Sequence, residues 1–114
     1  NNVSFPHNAI GTVINANTII EDNVRIYQNV TLGRADVYKS EKDSPSEFKG
    51  FLLKEGACIC AGAKLICKKG TLVIGKNAVV GANAVLLNSI GDNEIWGGVP
   101  ARFIGMRKTS DNEM

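Results

Sequence analysis

The stretch IGKNAVVGANAV, residues 74–85, states the same pattern twice: an aliphatic residue, glycine, a variable position, asparagine, alanine and valine. Working outward, the aliphatic position recurs every sixth residue as Ile14, Ile20, Ile26 and Leu32, then as Leu53, Ile59 and Leu65, then as Ile74, Val80 and Leu86. This is an internal repeat. Three places after the aliphatic residue stand Asn17, Asn23, Asn29, Gly56, Gly62, Asn77 and Asn83, the residue types that tolerate a left-handed backbone. One place further on, a small or β-branched side chain recurs as Thr18, Val24, Val30, Ala57, Ala63, Ala78 and Ala84. Each hexad therefore reads as a short strand plus a corner. A helix is excluded, because a six-residue period keeps no face of a 3.6-residue helix apolar and the Asn/Gly positions would break it repeatedly. Three strands and three corners make one triangular coil. About four to five such coils, stacked about 4.8 Å apart, pair their backbones with the coils above and below and fill the column with aliphatic and small side chains.

Two interruptions have a geometric relation. With hexads assigned to three faces in rotation, Ile14, Leu32, Leu65 and Leu86 fall on one face. The insert RADVYKSEKDSPSEFKG, residues 34–50, leaves the column after Leu32, and the excess in LICKKGTLV, residues 65–73, follows Leu65. Both therefore leave from one corner, one coil apart. The insert is rich in charge, serine and proline, which predicts a projecting loop. A column needs no such loop for its stability.

The 114 residues make one domain at most. The formal net charge is +2 and the lysines are scattered, which argues against a nucleic-acid groove or a polybasic membrane anchor. No apolar run approaches the roughly 20 residues a spanning helix needs, and no signal-peptide pattern opens the chain, so a cytoplasmic protein is expected. The chain opens Asn1-Asn2 without Met and is expected to be a piece of something longer: a β-helix domain over 1–106 with its loop at 34–50, a tail over 107–114, and further residues ahead of Asn1. Cys58, Cys60 and Cys67 are an odd count without the paired spacing of a secreted disulfide framework, which fits a reducing compartment. A zinc site wants four ligands and the one histidine lies far off in sequence, so no metal is expected and the cysteines read as small buried thiols.

The repeat in IGKNAVVGANAV resembles that of the hexapeptide-repeat acyltransferases, over residues 7–105 with the insert as the chief gap. The resemblance implies an all-β fold, a left-handed parallel β-helix. Spacing alone carries no handedness, since ordinary parallel crossovers are right-handed. PHNAIGTVI, NVRIYQNVTLG and the closing GGVPARFIG, residues 97–105, are similar to the serine acetyltransferase branch and its relatives in surface-polysaccharide clusters.

His7 stands at the entry to the repeat. An imidazole can take a proton from a hydroxyl near neutral pH, and the alternative is an edge histidine whose ring caps the first coil. The resemblance implies the first: His7 as general base, removing a proton while an acceptor hydroxyl attacks the thioester of acetyl-CoA, with a positioned donor stabilising the oxyanion. A cysteine nucleophile needs an adjacent base or cation, and no histidine lies near the three cysteines in sequence. The carboxylate that orients this histidine in that branch would fall ahead of Asn1. Arg34 after VTLG, Ala61 in ICAGA and Ala82 in VGANA match the places whose backbone groups receive the pantetheine arm, although small residues at tight corners occur in every coil. Trp96, with the basic residues Arg102, Arg107 and Lys108, is a candidate cover for the adenine or its phosphates, and equally a cap on the last coil. A homotrimer with acetyl-CoA between neighbouring subunits is implied.

Serine acetyltransferases carry a second active-site histidine in the loop after VTLG, in a glycine-rich stretch ending Asp-Arg-His-Pro. Here that place reads EKDSPSEFKG, without histidine. The expected acceptor is therefore a sugar hydroxyl of a surface polysaccharide or its precursor, with L-serine as the alternative. A non-catalytic hexapeptide-repeat scaffold is the remaining reading. A gamma-type carbonic anhydrase is excluded, since one histidine per chain cannot supply its metal ligands.

Overall fold

The structure, a computed structural model, describes residues 2–38 and 46–108. Residues 39–45 of the expected loop and 109–114 of the expected tail lie outside the described residues. The strands are β1 (Val13–Ile14), β2 (Thr18–Ile20), β3 (Arg25–Ile26), β4 (Thr31–Arg34), β5 (Phe48–Leu53), β6 (Cys58–Ile59), β7 (Lys64–Cys67), β8 (Gly70–Ile74), β9 (Val79–Val80), β10 (Val85–Leu86), β11 (Glu94–Gly97) and β12 (Arg102–Met106). No helix among the described residues is long and apolar enough to cross a membrane.

The strands form three faces. The first runs β1-β4-β7-β10, the second β2-β5-β8, and the third β3-β6-β9-β11 with β12 on its outer edge. All pairings are parallel except β11 with β12. The register stacks Ile14 on Leu32, Leu65 and Leu86; Ile20 on Leu53 and Ile74; and Ile26 on Ile59, Val80 and Trp96. The hexads thus occupy the faces in the rotation the sequence predicts, and the insert and the excess after Leu65 do share a corner.

Burial follows the same logic. Ile26, Leu53, Ile59, Leu65, Ile74 and Val80 are fully buried, as are the small-residue positions Val24, Val30, Ala57, Ala63, Ala78 and Ala84. Ile14 and Ile20, in the first coil, are half-buried. The small-residue expectation fails at one corner. Where the insert and the excess enter the second face, the slot of Thr18 is taken in successive coils by Phe51 and Leu72, both buried. The extra backbone opens that corner, and large side chains fill it, with Phe48 packed 5.6 Å from Phe51.

The corners explain the Asn/Gly alternation sterically. Asn23, Asn29, Asn77 and Asn83 have left-handed backbones, with φ between 58° and 62°, whereas Asn17 departs from the expectation and does not. A Cβ on Gly56 would land on Oδ1 of Asn77 in the next coil, and one on Gly62 would land on Oδ1 of Asn83. At these two corners glycine is needed because the next coil presents an asparagine side chain.

Candidate active site

His7 stands out from the column because of a local excess of backbone. Ser4 bridges Arg25 and Val13 pairs Thr31, so nine residues of the first coil span what six span in the second. The surplus forms a turn, held by Asn8 N–H on the Phe5 carbonyl at 2.9 Å and Ile10 N–H on the His7 carbonyl at 3.4 Å. Asn8 and Ala9 both have positive φ, 61° and 58°, and Ala9 is the one such residue among those described that is neither Asn nor Gly. A left-handed alanine costs on the order of 1–2 kcal/mol and persists only where its surroundings fix it. They do so at both ends. Ser4 exchanges backbone hydrogen bonds with Val24 and Ile26 at 2.8 and 2.9 Å. On the far side, Asn29 N–H donates to Ile10 at 2.8 Å, and the Thr12 hydroxyl donates to the Tyr27 carbonyl at 3.0 Å. The exposed His7 ring meets the Tyr27 ring edge-on, with centroids 5.8 Å apart and planes at 72°.

Below Tyr27 the corner becomes smaller in each coil. The register puts Cys60 and then Gly81 beneath Tyr27, and Ala61 and then Ala82 beneath Gln28, locked by Gly62 N–H on the Gln28 carbonyl at 3.0 Å and Asn83 N–H on the Ala61 carbonyl at 2.9 Å. The outcome is a column of progressively smaller residues, a candidate track along the column axis, with His7 at its head. The structure therefore brings His7, Ala61 and Ala82 to one corner.

It places Arg34 and Trp96 elsewhere. Arg34 ends β4, at the opposite edge of the first face. Its Nε donates to Asp36 Oδ1 at 2.9 Å, while the Ser46 hydroxyl, from the far end of the insert, donates to Asp36 Oδ2 at 2.7 Å. Asp36, 6 % exposed, thus pins both ends of the insert. The Ser46 hydroxyl and then the Arg34 guanidinium hold its carboxyl below the usual carboxylate range. Trp96 continues the interior stack beyond Val80, donating from Nε1 to Glu94 Oε1 at 3.1 Å and meeting Phe103 edge-on at 6.4 Å, a geometry that closes the column's end. Of the basic residues near it, Arg107 donates to the carbonyls of Gly56 and Asn77, and Arg102 and Lys108 are exposed.

Sequence reasoning missed Tyr27, the Asp36 clamp and the surplus turn. The turn had a signal, since SFPHNAIGTV advances nine positions from Ser4 to Val13 where the repeat advances six. Among the described residues no group of three His, Cys, Asp or Glu side chains is placed to hold a metal ion.

Comparison with known proteins places this geometry. The Haemophilus influenzae serine acetyltransferase is 34% identical over 108 residues, covering 95% of this chain and 36% of that protein. The Escherichia coli K12 serine acetyltransferase is 36% identical over 97 residues, covering 85% of this chain and 32% of that protein. The crystal structure of Brucella abortus serine acetyltransferase in complex with coenzyme A superposes with a TM-score of 0.75 at 32% identity, covering 94% of this chain and 39% of that one. No family model matches. A three-faced hexapeptide column with such neighbours is a left-handed parallel β-helix. The chain belongs to the hexapeptide-repeat acyltransferases, on the side of the serine acetyltransferases, and spans about a third of the length of the curated relatives it matches.

Proposed function

We propose that this chain carries the acetyl-transfer centre of an acetyl-CoA-dependent O-acetyltransferase, with His7 as the general base. The observation that carries the reading is His7 held by a strained turn at the head of the Ala61–Ala82 track. An extended pantetheine arm laid along these small corner residues would end at the imidazole. His7 takes the hydroxyl proton as the acceptor oxygen attacks the thioester carbonyl. The tetrahedral intermediate then collapses, and the protonated imidazole returns the proton to the departing CoA thiolate. Arg34, pinned by Asp36 at the far edge of the first face, takes no part in the cofactor track in this reading, and Trp96 acts as a cap.

For the acceptor, the relatives favour the hydroxyl of L-serine over the sugar hydroxyl that the sequence led us to expect. A sugar remains the second reading on one observation: His7 is the chain's one histidine, so the insert brings none. The assembly proposed is a cytoplasmic homotrimer with acetyl-CoA between subunits. Support comes from the exposed large apolar side chains Ile10, Val13, Leu87, Phe103, Ile104 and Met106, which an isolated column leaves in water. The deciding experiment measures CoA release from acetyl-CoA with L-serine and with a panel of sugar hydroxyls. Turnover with serine alone establishes the acceptor, turnover with sugars alone reverses it, and no turnover with any hydroxyl returns the column to a scaffold. A monomer at micromolar concentration by light scattering would remove the trimer.

A further inference from the structure

Away from that track, the densest reactive chemistry lies on the outer side of the third face. Cys58 and Cys60 are two residues apart, in β6 and just beyond it, so both side chains leave the strand opposite the buried Ile59. Sharing one side of the strand, the Cys60 thiol is placed to share its proton with the Cys58 sulfur. Two guanidinium groups flank the pair. Arg25 faces Cys58 in register from β3, and Arg107 donates from Nη1 to the Gly56 carbonyl at 3.1 Å and the Asn77 carbonyl at 3.2 Å, two residues from the level where Cys58 meets Val79. The Cys60 hydrogen bond, then the two guanidinium groups, outweigh burial and hold the Cys58 thiol down to about 6. Cys60 is pushed upward because it keeps the shared proton. At neutral pH the pair rests as one thiolate and one thiol, the state in which a dithiol reacts with oxidants. Cys67 is a built-in control. It is buried, burial raises its pKa, and its sulfur lies 3.6 and 3.5 Å from the carbonyls of Lys69 and Gly70.

We propose that Cys58 and Cys60 form a redox dithiol that a hydroperoxide closes into an intramolecular disulfide. The Cys58 thiolate attacks one peroxide oxygen, the O–O bond breaks, hydroxide leaves, and Cys58 becomes a sulfenic acid. The Cys60 thiol then gives up its proton and attacks the Cys58 sulfur, forming the S–S bond and expelling hydroxide, which leaves as water. The two sulfurs lose two electrons and the peroxide gains them. An external dithiol reverses the change. Cys58 is only 6 % exposed, which restricts the oxidant to one as small as hydrogen peroxide. The pair also reaches the acetyl-transfer corner, a link that rests on the function proposed above. Cys60 lies in the layer beneath Tyr27, whose amide donates to the Ile59 carbonyl at 3.0 Å and whose ring meets His7. Drawing Cys60 toward Cys58 moves the layer under the imidazole.

The test follows thiols and needs no acetyl-transfer activity. Reduced protein is treated with hydrogen peroxide, alkylated with iodoacetamide under denaturing conditions, and mapped by mass spectrometry. Two of the three free thiols should become unavailable through a Cys58–Cys60 link, Cys67 should remain alkylatable, and dithiothreitol should restore both. Cys60→Ser removes the resolving thiol, so dimedone present during denaturation after the peroxide step should label Cys58 in that variant, whereas Cys58→Ser should give no label. Equal oxidation of all three cysteines, an intermolecular link, or a Cys60→Ser protein with a native circular dichroism spectrum that takes no label would overturn the dithiol. Reversible loss of acetyl transfer in the linked protein supports the connection to His7. Undiminished transfer in fully linked protein would remove that connection while leaving the dithiol itself in place.

Discussion

The first face is bounded by two corners that break the repeat in opposite ways. At the corner leading into it, the departure is one surplus turn in the first coil, after which every layer is regular and the side chains shrink from Tyr27 and Gln28 to Gly81 and Ala82. At the corner leading out, the insert leaves after β4 and a shorter excess after β7, the ends of the insert are clamped by Asp36, and Phe51 and Leu72 replace the small residues. A regular corner offers the same backbone in every layer, which suits a long and invariant ligand such as the pantetheine arm. An irregular corner offers side chains found nowhere else in the column, which suits discrimination between acceptors. Under the function proposed above, the contrast would assign the cofactor to one corner and acceptor selection to the other, and it can be broken at either corner.

The largest expected effect is at the first corner. His7→Ala should lower kcat by something like 10²- to 10⁴-fold while the column and acetyl-CoA binding persist, because no interior side chain depends on the imidazole. Steady-state kinetics beside the circular dichroism spectrum checks this, and full activity in the variant would end the general-base assignment. Next comes the track. Ala82 is exposed at a corner, so Ala82→Trp should fold, yet its ring would lie across the groove and raise the KM for acetyl-CoA by roughly tenfold or more, about 1.4 kcal/mol per factor of ten. An unchanged KM would put the cofactor elsewhere.

At the second corner the expected effect is smaller and depends on pH. Because the folded protein holds the Asp36 carboxyl below its ordinary range, the unfolded chain takes up that proton more readily. The stability Asp36 contributes is therefore present at neutral pH and is lost as pH falls from the ordinary carboxylate value through the lowered folded one. Asp36→Asn should flatten this acid limb, seen as a smaller shift of the urea midpoint between about pH 6 and about pH 3. It should also change the KM of the acceptor more than that of acetyl-CoA. Equal changes in both would argue that the two corners are not separate in function.

The parts legible in sequence were those written as a period. The three columns of aliphatic residues, the shared corner of the two interruptions, and the placement of Ala61 and Ala82 in one stack all follow from counting by six. His7 stands out by its position before the first hexad, but its proposed role comes from the family resemblance and not from the spacing. The Asp36 clamp joins residues ten apart across an irregular segment, so no spacing announces it. The surroundings of the thiol pair were not legible for a similar reason: Arg25 and Arg107 are far from Cys58 in sequence and come to it by strand register and by the return of the chain end. Trp96 falls on the interior stack because β11 keeps register with β9 before β12 turns antiparallel, a reversal the repeat could not foretell.

The smallest effect probes the turn that lifts His7. Ala9 holds φ at 58°, where a Cβ meets the following carbonyl, and glycine has no such penalty. Ala9→Gly should remove about 1–2 kcal/mol of strain and lose roughly 0.5–1 kcal/mol to the greater freedom of the unfolded chain, a net gain between about 0 and about 1.5 kcal/mol. At roughly 4–8 °C per kcal/mol for a small domain, the rise in Tm is about 12 °C at most. The same change frees the backbone two residues from the imidazole, so kcat should fall a few-fold while the KM for acetyl-CoA stays constant. Stability gained at the expense of turnover would mark the strain as what fixes the position of His7. A variant that loses stability would show that Ala9 is at ease in its left-handed conformation, and the surplus turn would then be a passive spacer between the chain start and the first coil.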